Sequence, residues 1–147
     1  MCGIGLFLNC EGCERTIEYL TNRGPDFYGH KRLTLNGMIL NLYSSVLSHQ
    51  GPGVTQQPII SNSKILMWNG EIYHHPKFDH SISDSDWLMR QIDTPDSVQS
   101  ILQLLPSIRG EFAFDAVFLE AAVQKNHVGG QILYNSLVPS KKTASLS

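Results

Sequence analysis

The stretch Met1-Cys2-Gly3-Ile4-Gly5-Leu6-Phe7-Leu8-Asn9 places a thiol one residue after the initiator methionine, directly ahead of an apolar run. Gly3–Asn9 has few polar interruptions and reads as a buried strand. Methionine is generally removed when the next side chain is small, so the mature chain is expected to begin at Cys2. A thiol and a free α-amine then share one residue. An α-amine titrates near pH ~7.7–8.0 and a cysteine thiol near ~8.5, so the amine can accept the thiol's proton at neutral pH. Nucleophile and base would sit together. Taken alone, a cysteine at position 2 is more simply chance, and the rest of the chain has to decide its role.

At 147 residues and 41% hydrophobic, the chain suits one domain with a sizeable core. The net charge is −2, and no basic run is longer than Lys141-Lys142, which argues against nucleic acid as the main partner. No apolar stretch reaches the roughly 20 residues of a membrane span. No positively charged region precedes Gly3–Leu8, so the N-terminus does not read as a secretory signal. Cysteine rather than glycine at position 2 excludes N-myristoylation. A cytoplasmic chain with three reduced cysteines is expected.

Further along, Glu14–Asn22 reads as a helix with Ile17 and Leu20 on one face, stopped by Arg23-Gly24-Pro25-Asp26. Arg32–Asn36 and Met38–Leu47 read as strands joined through Asn36-Gly37, a strong hairpin signal. A loop from Gly51-Pro52-Gly53 ends near Pro58. Lys64–Trp68 (KILMW) reads as a second buried strand running into Asn69-Gly70-Glu71. Ser83–Ile92 reads as a helix capped by Ser83 or Ser85, and Ser97–Leu105 as another, limited by Pro106. Glu111–Leu119 suits a strand, although Ala116–Gln124 would also suit a helix. Beyond about Pro139 the composition is serine- and lysine-rich and predicts disorder. Grouped strands with intervening helices give an α+β layered domain.

Five short motifs line up with Cys2: Arg23-Gly24-Pro25-Asp26, Gln57-Pro58, Asn69-Gly70-Glu71-Ile72-Tyr73, Asp84-Ser85-Asp86, and Arg109-Gly110-Glu111-Phe112-Ala113-Phe114. Their order and spacing resemble the class II glutamine amidotransferase domain, with its N-terminal cysteine, of asparagine synthetases. The resemblance covers residues 1 to about 114. It implies an N-terminal nucleophile hydrolase-like α/β/β/α sandwich of two antiparallel sheets, and hydrolysis of the glutamine side-chain amide without a cofactor. By resemblance, Cys2 is the nucleophile, its α-amine the base and then the acid. Asn69 and the Gly70 N–H are the donors for the oxyanion, each such donor being worth roughly 10²–10³ in rate. Asp86 resembles the carboxylate that binds the α-ammonium of glutamine, and Glu71 is placed to hold the substrate or its loop. Read without the resemblance, Asn69-Gly70 is a common turn and Asp86 a solvated carboxylate in a helix's first turn. Arg23 and Asp26 read as supports of the pocket wall, and Phe112 and Phe114 as core.

Two departures follow. Asparagine synthetases carry an arginine before the Gln-Pro loop that grips the α-carboxylate of glutamine, and Val46 stands in its place. Neither His49 nor Gln50 reproduces a bidentate guanidinium. Charge-assisted bonds contribute roughly 1.5–3 kcal/mol each, so weak or absent glutaminase activity is expected. Cys2 and NGEIY without the arginine resemble a divergent branch, the asparagine synthetase domain-containing proteins. The second departure is that the resemblance stops near Phe114. Residues 115–147 match no part of the family, and the ATP-using synthetase domain is absent, so the chain is expected to be a truncated form that does not make asparagine alone. A sandwich incomplete at its C-terminus would leave a sheet edge or core face open to a protein partner. An inert binding or regulatory module on the same fold is the alternative to an enzyme. Cys10-Glu11-Gly12-Cys13 with His74, His75 and His80 raises a zinc site. The histidines lack the usual spacing unless His75 pairs with His80, so no metal and two surface thiols are expected.

Overall fold

The computed structural model describes residues 2–61, 64–93, 97–118 and 131–135. Strand β1 (Gly3–Leu8) is followed by helix α1 (Glu14–Arg23) and the hairpin β2 (Phe27–Leu35) and β3 (Met38–Val46). Then come β4 (Ile59–Ser61), β5 (Lys64–His74), α2 (Asp84–Ile92), α3 (Ser97–Leu104) with a 3₁₀ turn at Leu105–Ser107, β6 (Arg109–Phe118) and β7 (Gln131–Asn135). The fold is α+β. One sheet has the order β1-β3-β2 and the other β4-β5-β6-β7, and every pairing is antiparallel.

Side-chain alternation along the strands sets the layers. On β3, Leu40 and Leu42 face Ile65 and Met67 of β5 and Val117 of β6, forming a core between the sheets. The opposite face of β5 carries Leu66, Trp68 and Ile72, which pack with Trp87, Leu88 and Ile92 of α2 and Ile101 of α3. Helix α1 covers the outer side of β1 and β3. The layers therefore run helix, sheet, sheet, helices. Each fully buried Leu, Ile or Met contributes about 1.5–3 kcal/mol. Strand β5 has no polar alternation over Lys64–Trp68 because both of its faces are buried.

Three elements differ from their sequence reading. Strand β2 begins at Phe27, five residues before the expected start. Its first half is largely exposed, with His30, Lys31 and Arg32 in solvent, and it holds its place by pairing from Phe27↔Val46 onward rather than by burial. Strand β5 continues to His74, so NGEIY lies inside a strand and Asn69-Gly70 is no turn. Pairing of Asn69 with Ala113 and Gly70 with Phe112 overrides the local turn preference. A hairpin turn does form at Asn36-Gly37, with φ of 51° and 79°. Beyond residue 114, β6 runs on to Phe118, and β7 covers its edge from Phe114 to Phe118. The expected helical alternative Ala116–Gln124 is a strand as far as Phe118, and its remainder, like the tail beyond Pro139, lies outside the described residues. No helix among the described residues is long and apolar enough to cross a membrane.

Asp115 lies on the same face of β6 as Val117, towards the neighbouring sheet, and burial alone lifts its carboxyl to about 6. Its unfolded value is near ~3.9, so the native state holds the proton more tightly. Stability is then full below pH ~4 and falls as the pH rises through 6. Two units correspond to roughly 3 kcal/mol at most. Asp115→Asn is expected to raise the thermal midpoint by several degrees at pH 7.5, with the gain vanishing near pH 4. Denaturation scans at the two pH values check this.

Candidate functional site

Cys2 reaches its position through the β1–β3 ladder. Gly3 pairs with Ser45 and Ile4 with Ser44, so the residue before β1 falls beside the end of β3. The Gly3 N–H donates to Ser45 Oγ at 3.1 Å, and Ser45 Oγ in turn donates to the Leu20 carbonyl of α1. The Leu47 N–H donates to Cys2 Sγ at 3.4 Å. Arg23 Nε donates to the Cys2 carbonyl at 3.0 Å, and the Ser48 N–H donates to Asp26 Oδ2 at 2.7 Å. Arg23 and Asp26 thus brace the wall around Cys2 without lining the cavity themselves.

That cavity has a volume of about 160 Å³, well below the ~300 Å³ at which drug-sized sites begin. It is of a size for a small metabolite. Cys2, Val46 and Leu47 form one side, Gly70 and Glu71 of β5 another, and Asp84 and Ser85 at the start of α2 a third. Gln57 joins the last two walls. Its Oε1 accepts from the Trp68 N–H at 2.6 Å, and its Nε2 donates to Ser85 Oγ at 3.2 Å.

The direction of the β5 amides follows from these bonds. In an antiparallel strand, alternate residues turn their N–H groups to the same edge. The Trp68 N–H goes to Gln57, away from β6, and the Ile72 N–H goes to Asp84. Gly70, midway between them, turns its N–H to that same edge and lines the cavity. A Cβ at Gly70 would run into the Glu111 carbonyl and Phe112 of β6. Glycine is therefore required by the close approach of the two strands.

Asp84 is buried and accepts from Trp68 Nε1 at 3.0 Å and from the Ser85 N–H at 2.8 Å. Burial pushes its carboxyl above the usual range, against the opposing pull of these donors. Asp86, read from the sequence as the substrate carboxylate, is not among the lining residues. Its N–H donates to Ser83 Oγ at 3.1 Å and its Oδ2 accepts from Thr55 Oγ1 at 2.8 Å, while the Thr55 and Ser83 hydroxyls lie 2.7 Å apart. That closed set caps α2. The two aspartates are two residues apart at a helix start, so they point to different sides. A helical wheel begun at Ser83, the N-cap, would have separated them.

Asn69 also stands apart from its sequence reading. It is not a lining residue, and its Oδ1 is buried without a partner among the described residues. Cys2, Gly70 and Glu71 are brought together as expected. The sequence reading missed Asp84, Ser85, Gln57 and Glu111 as lining residues. Glu111 is legible only once β6 is aligned on β5, where it faces Glu71. Cys10 and Cys13 are exposed and unbridged, and no metal-holding group of three or more His, Cys, Asp or Glu occurs among the described residues.

The thiols differ in character. Burial pushes Cys2 above its ordinary value, with the Leu47 N–H pulling the other way. At the start of α1, the Thr16 hydroxyl and amide draw Cys13 below its ordinary value. In chain retaining Met1, limiting iodoacetamide at pH 7.5 is expected to modify Cys13 before Cys2. The Cys2 rate should keep climbing above pH 9, because only the thiolate reacts. Peptide mapping against time checks both, and a Cys2 rate that levels off below pH 8 would contradict them.

No protein-family model matches the chain, and no solved structure matches it. The chain is 29% identical over 92 residues to asparagine synthetase domain-containing protein CG17486 of Drosophila melanogaster. The matched region is 62% of this chain and 16% of that protein. The chain is thus a distant, partial relative of an asparagine synthetase domain-containing protein.

Proposed function

We propose that the cavity is a glutaminase-type site of the N-terminal nucleophile class, with Cys2 as the attacking group once Met1 is removed. The observation that carries this reading is the convergence of Cys2 Sγ, the Gly70 N–H edge and the Asp84 carboxylate on one small cavity. Burial holds the Cys2 thiol above its ordinary value, so attack requires a base. The α-amine of a processed Cys2 is the nearest one by construction.

In this reading the amine takes the thiol proton as sulfur attacks the side-chain amide carbon of glutamine. The C–N bond then breaks, and the amine returns the proton to departing ammonia, leaving a thioester. Water activated by the same amine hydrolyses the thioester to a carboxylate. The oxyanion formed in each addition takes a hydrogen bond from the Gly70 N–H. Asp84, at the far wall, pairs with the substrate's α-ammonium, the role first read for Asp86. Glu71 lies at the mouth, where its Oε1 is within 3.4 Å of Gln50 Nε2.

The second reading, an inert binding module, is favoured by one observation: no lysine or arginine is among the cavity's lining residues. A free α-carboxylate meets no guanidinium or ammonium side chain among the described lining residues. Processed chain is expected to release glutamate from millimolar glutamine slowly, and Cys2→Ala to abolish the release while keeping the same melting temperature. Intact mass establishes Met1 removal beforehand. No turnover by fully processed chain, on glutamine or its derivatives, would favour the inert module.

A further inference from the structure

Among the cavity's lining residues are three carboxylates, Glu71, Asp84 and Glu111, and one imidazole, His49. Glu71 and Glu111 are direct partners across β5 and β6. Like charges placed so are destabilising, and both are exposed at the mouth. The mutual field also raises the Tyr73 hydroxyl beside them. Gln50, another lining residue, holds a buried carbonyl oxygen, Oε1, with no partner among the described residues. Along the chain from β3, the wall beside Cys2 is formed by Val46 and Leu47 and continues through Ser48, His49 and Gln50.

The cavity is therefore rich in acceptors and negative charge. Among the described lining residues no lysine or arginine offsets the three carboxylates, and the one imidazole, His49, is outnumbered by them. A zwitterionic amino acid brings one group the site attracts and one it repels. A ligand with the same ammonium and side-chain amide, but with an amide in place of its α-carboxylate, brings only the attraction. An N-terminal glutamine of a peptide has that chemistry, and its chain would leave past the exposed Glu71, Tyr73 and Glu111.

We propose that this site takes glutamine as the N-terminal residue of a peptide, or as another α-carboxyl-blocked derivative, in preference to the free amino acid. The inference rests on the glutaminase reading for its chemistry, though its selectivity is measurable without turnover. The reaction balances as for glutamine: side-chain amide plus water gives a side-chain carboxylate and ammonium, through the Cys2 thioester.

Two measurements separate the claims. In the first, Cys2→Ala protein is titrated calorimetrically with L-glutaminamide, glutaminyl-glycinamide and L-glutamine. The blocked compounds are expected to bind at least tenfold tighter. Glu111→Gln in that background should narrow the gap several-fold, and 0.5 M salt should narrow it too, since exposed charges are screened. Equal affinity, or tighter binding of free glutamine, overturns the proposal whether or not the chain is an enzyme. In the second, processed chain is given the same compounds. The γ-carboxylate product is followed by mass, because N-terminal glutamine cyclises spontaneously with loss of ammonia. Faster conversion of the blocked compounds supports the proposal, and faster conversion of free glutamine overturns it. Selective binding with no conversion of any compound supports the ligand preference and overturns the glutaminase reading.

Discussion

The buried Gln57 side chain is the constraint on which the site's geometry depends. Its carbonyl fixes the Trp68 amide of β5 and its amide holds Ser85 at the head of α2. Its own backbone carbonyl lies against Gly29 of β2, where a Cβ would not fit. One residue thus links the first sheet, the second sheet and a helix from the outer layer. Removing it would leave a buried amide without an acceptor, a cost of about 1–3 kcal/mol. The cavity walls would lose their common reference point.

With that link in place, the remaining geometry follows from strand register. The β1–β3 ladder carries Cys2 to one wall, and the free edge of β5 presents the Gly70 N–H to the same space. The start of α2 contributes Asp84, held by the Trp68 indole and by its own first-turn amide. Each wall comes from a different layer, so the site requires the two sheets to be packed. The apolar core between them, Leu40, Leu42, Ile65, Met67 and Val117, stabilises the site as well as the fold.

Much of the architecture was legible in the sequence. The apolar runs at Gly3–Leu8 and Lys64–Trp68 announced buried strands, Asn36-Gly37 announced the hairpin, and Ser83 the helix cap. What escaped was set by pairing rather than by local preference. The largely exposed first half of β2 and the Asn69-Gly70 pair are strands because neighbours bond to them. Cys2, Gly70 and Glu71 could be placed from motif order. The choice between Asp84 and Asp86 required the helix phase, and Glu111 required the β5–β6 register. The negative character of the cavity likewise emerged only once residues distant in sequence were brought to one wall.

The central claim is that Cys2 is the reactive group of a cavity shaped for a glutamine side chain. The most direct test is labelling of processed chain by an electrophilic chloroketone analogue of glutamine, followed by peptide mapping. Stoichiometric attachment at Cys2, slowed by added ligand and sparing the exposed Cys10 and Cys13, is the expected result. Attachment at the exposed thiols with Cys2 untouched would contradict the account.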